Sequence, residues 1–130
     1  MGRVLAMVGI GFATTLSAQA QRPEPAAMPA LEVEVIRSKR GRAANVARIY
    51  AERLNGGLGA YRTASCMHVR GGGECLIVSD DQGHQFRFLG GRPGWEQLGL
   101  DPTTETVLLI SPDGREIVEL IYNGTPRGSS

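Results

Sequence analysis

Cys66 and Cys75 are the only thiols in the 130-residue chain, and the eight residues between them include the run Gly71-Gly72-Gly73. A hairpin folded about that run sets the two sulfurs side by side. In an oxidising compartment an even cysteine count at this spacing reads as a structural disulfide. A sharper reading adds His68, two residues from Cys66 and so on the same face of a strand, with His84 as a fourth ligand for zinc. Zinc needs four ligands held tetrahedrally, however, and C-x-H-x6-C is not one of its familiar spacings. Active dithiols sit as C-x-x-C beside a helix N-terminus, and that pattern is absent. The expectation is a disulfide, with no metal and no cofactor.

The remaining candidates for catalysis are thin. No Gly-x-Ser-x-Gly elbow presents a nucleophile. Asp80 and Asp81 are adjacent carboxylates, but neighbours in a turn point apart and cap backbone amides rather than share a proton. His84 precedes Phe86 and Phe88 on one alternation of a strand, which places it at the rim of a core. The chain is expected to be non-enzymatic.

Two segments carry binding chemistry instead. Gly90-Gly91-Arg92-Pro93-Gly94-Trp95 joins mobile glycines, a rigid proline and the only tryptophan next to an arginine. Trp and Arg are enriched where partners bind most tightly, although a Trp folded back as a lid on the open end of a sheet is the competing role. No phosphate-loop fingerprint follows these glycines. Arg37, Lys39, Arg40, Arg42 and Arg48 put five positive charges into 12 residues without an acid among them. Arg42 and Arg48 lie far apart round a helix, so the cluster reads as partly solvated, and Arg40 and Arg42 as a second, electrostatic contact. Asn123-Gly124-Thr125 matches a glycosylation sequon, relevant only in a eukaryotic host.

These residues need elements to position them. Residues 1–20 read as a secretory signal, with Arg3, an apolar run from Val4 to Leu16, and Ala18-Gln19-Ala20 as the cleavage site. The run is short for a bilayer span, and no stable membrane insertion is expected after cleavage. The place of action is therefore periplasmic, thylakoid-lumenal or extracellular. Without residues 1–20 the chain holds 13 basic and 13 acidic side chains. That balance argues against a general nucleic-acid binder, which concentrates positive charge over a face.

Residues 21–30 read as a Pro/Ala-rich linker, 31–124 as one domain and 125–130 as a flexible tail. Leu31 to Arg37 alternates apolar and charged residues, the signature of a strand. From Gly41 to Asn55 the period becomes helical, with Val46, Ile49, Tyr50 and Leu54 beside Ala43 and Ala47 on one side and Arg48 and Glu52 opposite. Asn55-Gly56-Gly57 ends that helix. Short strands follow at Tyr61 to Val69, Cys75 to Ser79 and His84 to Leu89, then one helical turn at Trp95 to Leu98. A last hairpin pairs Thr104 to Ile110 with Glu116 to Tyr122 about Ser111-Pro112-Asp113-Gly114. The pattern is α+β: one main helix packed on a mostly antiparallel sheet of about five to six short strands.

The stretches AERLNGGLGAYR (51–62), FRFLGGRPGWEQLGL (86–100) and SPDGREIVELIYNG (111–124) resemble small exported proteins of unknown function in cyanobacteria. The resemblance implies a bacterial exported protein and carries no activity. One helix across an antiparallel sheet with a Gly-Pro-Trp loop is also similar in architecture to cystatin-like protease inhibitors. Their Gln-x-Val-x-Gly signature is missing, so no inhibitory activity follows. The functional expectation is an exported binding or accessory module with a protein partner. The alternatives are a structural subunit of a larger envelope assembly, or a protease-inhibitor-like domain by architecture only.

Overall fold

In the computed structural model, which describes residues 29–128, one long helix precedes five strands and the class is α+β. The helix, α1, spans Ala30–Leu54, and the strands are β1 (Arg62–Thr63), β2 (Leu76–Asp80), β3 (Gly83–Gly91), β4 (Thr104–Ile110) and β5 (Ile117–Gly124). All pair antiparallel, in the order β1-β3-β4-β5, with β2 also on β3. β2 takes the His84 end of β3 and β1 takes the Gly90–Gly91 end, so two short strands share one edge. The expected signal (1–20) and most of the expected linker (21–30) lie outside the described residues.

The segment expected as a first strand, Leu31 to Arg37, is instead the first two turns of α1. Alternation of Val and Glu over seven residues satisfies a strand, but it also satisfies a helix with no buried face, and none of residues 30–42 is buried. Helical continuity decides between them. Val in a helix costs under about 1 kcal/mol relative to Ala, and Glu32 in the first turn complements the helix dipole. Glu34 and Arg37 pair one turn apart at 3.3 Å. Gly41, expected at the helix start, sits in its interior. The basic residues from Arg37 to Arg48 therefore lie along one helix rather than at a strand-to-helix junction.

The expected strand from Tyr61 to Val69 shrinks to the two residues of β1. The chain then runs through two 3-10 segments, Ser65–His68 and Arg70–Cys75. Gly71, Gly72 and Gly73 all take positive φ, so the glycines make a folded loop rather than a β-hairpin. A side chain at Gly72 would strike the Phe86 ring, 2.6 Å from the Cβ position. The loop thus lies flat on the core. Cys66 and Cys75 close it as a disulfide, their Cα atoms 5.9 Å apart.

The core lies between α1 and one face of the sheet. Ala43, Ala44, Ala47 and Ala51 press against Phe86, Phe88, Leu108 and Ile110, joined by Tyr61 and Met67. The helix face differs from the expected one. Val46 and Tyr50 pack only partly, Ile49 and Leu54 are exposed, and Glu52 is buried beside Arg48 at 3.5 Å. Phe86 and Phe88 already fill the sheet surface, so the helix seats with its smallest residues. β3 runs two residues past the expected end because Gly90 and Gly91 lie beneath aromatic rings. A Cβ on Gly90 would sit 2.4 Å from Tyr61, and one on Gly91 3.1 Å from Trp95. Burial pushes the Tyr61 phenol up to about 12.

Candidate functional site

The stripe of α1 that meets the sheet continues beyond it. Val33, Ile36, Arg37 and Arg40 are spaced i, i+3, i+4, i+7, one side of a helix, and they form one wall of a cleft of about 450 Å³. Arg70, Gly71 and Gly73 of the disulfide loop form the other wall. The loop holds Arg70 opposite the helix for two reasons. Its ends are tied by Cys66–Cys75, and Gly72 is seated against Phe86 and close to Ala44. The site is thus built by the helix, the cross-link and the core together.

Three guanidinium groups border this cleft, and one carboxylate neutralises one of them, Glu34 on Arg37. Arg40 Nε donates to Ser79 Oγ at 3.3 Å. Among the described residues no carboxylate lies within ion-pair range of Arg40 or Arg70. A second cleft of about 330 Å³ shares Arg37 and Arg70 and adds Arg42 and Asn45. Planar guanidinium groups on two walls suit a carboxylate or phosphate held in fork geometry. Val33 and Ile36 add apolar surface alongside.

The residues singled out by sequence fall in different places. Arg40 belongs to the cleft. Arg42 turns to the β4–β5 connection, where its Nε and Nη2 donate to the Asp113 carbonyl at 3.1 and 2.8 Å. Trp95 is 7% exposed, and its indole N–H donates to the Arg62 carbonyl at 3.1 Å. The ring packs over Gly91, the placement expected of a lid. One edge still borders a groove of about 440 Å³ that the disulfide itself lines, with Val69, Ile77, Leu89 and Glu96. Arg92 is exposed in the adjoining turn.

The titratable candidates are engaged structurally. His68 bonds the Thr63 hydroxyl at 3.3 Å. His84, 5% exposed, joins Ser79 Oγ through Nδ1 at 2.9 Å and the Pro112 carbonyl through Nε2 at 3.0 Å. A carbonyl can only accept, so Nε2 donates to Pro112; in the neutral ring Nδ1 then accepts from the Ser79 hydroxyl. This relay ties the β2–β3 turn to the β4–β5 turn. Asp80 accepts from the Gln82 amide at 2.9 Å, a turn cap. No group of three or more His, Cys, Asp or Glu side chains is placed to hold a metal among the described residues.

The sequence marks Arg37 as a member of the basic cluster but not as a contact, and it does not mark Arg70 at all. The signal for Arg37 was its helical spacing with Val33, Ile36 and Arg40, hidden while the segment reads as a strand. Arg70 had only its place beside the glycine run. The chain matches no known family, no curated protein and no solved structure.

Proposed function

We propose that the protein is an exported, non-enzymatic binding or accessory module that holds an anionic partner in the cleft between α1 and the disulfide loop. The observation that carries this reading is the meeting of Arg37, Arg40 and Arg70 from two elements about one cavity. Among the described residues Arg40 and Arg70, like several other basic side chains, stand outside any ion pair, and these two face one cleft. Export is supported by the order of residues 1–20, and the Cys66–Cys75 disulfide fits an oxidising compartment. No described helix is long and apolar enough to cross a membrane.

The test starts with a partner captured from the host's own envelope extract, identified by mass spectrometry and then purified. Its affinity is measured by calorimetry for wild type, for Arg40→Glu/Arg70→Glu and for Arg92→Ala. The expected result is at least a tenfold loss in the double variant, strong weakening by salt, and little change in Arg92→Ala. Equal affinity for the double variant, with its fold intact by circular dichroism, overturns the cleft. A loss confined to Arg92→Ala moves the site to the Gly-Pro-Trp loop.

A further inference from the structure

We infer that the occupant of this cleft is a short acidic peptide segment of another protein, carrying an apolar side chain beside its carboxylates; this rests on the reading just given. The cleft is elongated rather than a point. Val33 and Arg40 stand seven residues apart on one helix, about 10 Å at 1.5 Å per residue. An extended segment of three to four residues, at about 3.3 Å each, covers that length. Its side chains alternate between the two walls, so one apolar side chain and one carboxylate can face the helix while a second carboxylate faces Arg70.

The composition of the walls selects among anions. Inorganic phosphate would satisfy guanidinium groups but leave Val33 and Ile36 facing water, whereas a peptide carrying Leu or Ile covers both kinds of surface. The spacing of Val33, Ile36, Arg37 and Arg40 continues the line on which α1 meets the sheet, so this stripe has the geometry of a packing face that, among the described residues, meets only the disulfide loop across the cleft. A second copy of the chain is a poor neighbour for it. Self-pairing through the stripe would bring the Arg37, Arg40 and Arg70 groups of two molecules together, and like charges at short range oppose association. Charge complementarity calls for an acidic partner.

From Val33 onward α1 satisfies its own amides and carbonyls, which closes the helix wall to main-chain capture. Recognition on that wall therefore depends on side chains, with Arg70 supplying a contact from across the cleft. That makes the apolar contribution separable from the ionic one.

The full chain, isotope-labelled, is titrated and followed by amide chemical shifts. The probes are a capped peptide Asp-Glu-Leu-Asp-Glu, its Leu-to-Ser version, inorganic phosphate, and vesicles of an anionic phospholipid. The expected result is that the Leu peptide moves the amides of Ile36, Arg40, Arg70 and Gly71. The Ser peptide and phosphate should bind at least fivefold more weakly, and Ile36→Ser should remove the preference for Leu over Ser. Ile36 is exposed, so this variant keeps the fold. Phosphate or vesicles binding as well as the Leu peptide at the same residues overturns the peptide assignment while the anion cleft stands. Equal binding of the Leu and Ser peptides does the same. No response at these residues to any probe overturns both readings.

Discussion

At the scale of single residues, the least exposed charge among the described residues is Glu105, whose side chain is 2% exposed on the sheet face away from α1. Arg87 Nε approaches it at 2.7 Å and Arg127 Nη2 at 3.1 Å, and the Arg127 backbone amide donates to its other oxygen at 2.8 Å. Arg127 also lies 3.6 Å from the centre of the Tyr122 ring. Residues expected as a flexible tail are thus fastened as far as Arg127. The Arg127 hydrogen bonds, more than the neighbouring Arg87 charge, hold the Glu105 carboxyl at about 2. A depressed pKa contributes stability that is present above the ordinary carboxylate value and lost as pH falls through the folded one. Thermal melts from pH 6 down to pH 2 should therefore lose stability below about 4.5, and Glu105→Gln should flatten that loss. Because both guanidinium groups are partly in solvent, the contribution is about 1–2 kcal/mol. Melts of the two proteins that stay parallel between pH 5 and 2 would contradict it. None of this was legible in the sequence, where Glu105 is one acid in an apolar strand and its partners lie 18 and 22 residues away.

At the scale of elements, legibility followed the physical uniqueness of the pattern. β4 falls at the expected residues because Thr104 to Ile110 is β-branched and apolar and is bounded by Pro102 and Pro112. The Asn55-Gly56-Gly57 stop also holds, since Gly56 and Gly57 both adopt positive φ. The errors came from patterns with two solutions. Seven alternating residues fit a strand or a solvated helix, and a glycine run fits a hairpin or a folded loop. The two were linked, because a helical start gives the Arg37–Arg40 stripe and a folded loop gives Arg70 to face it. The disulfide that clamps this loop was readable from cysteine count and spacing. Closing a loop of this length stabilises by about 2–3 kcal/mol, so a reductant should lower the melting temperature by several degrees. It should also weaken anion binding, because Arg70 lies between the two cysteines. Cys66→Ser/Cys75→Ser should show both effects without reductant. Unchanged binding in that variant, at a temperature where it is folded, would show that the cross-link does not position Arg70.

At the scale of the whole molecule, folding and binding occupy different lengths of the same helix. The β4–β5 turn seats against α1 from Lys39 onward, where a Cβ on Gly114 would lie 2.5 Å from the Lys39 carbonyl oxygen. The first buried helical residue is Ala43. Upstream of Lys39 the helix stands clear of the sheet, with Leu31 75% and Val35 45% exposed. A chain beginning at Ser38 keeps every alanine of the core stripe and 16 of the 25 helical residues, counted from Lys39 to Leu54. It should fold with a stability loss of about 1 kcal/mol or less, since little apolar area goes with the removed turns. Far-UV circular dichroism should report the lost helical residues and an otherwise unchanged, cooperative melt. The same truncation removes Val33, Ile36 and Arg37, leaving Arg40 and Arg70 without an apolar wall, so affinity for the acidic Leu peptide should drop at least tenfold. Collapse of the fold would mean that the first turns of α1 are part of the domain's stability after all. Full binding by the shortened chain would place the partner's contacts below Lys39, on the loop and the sheet edge.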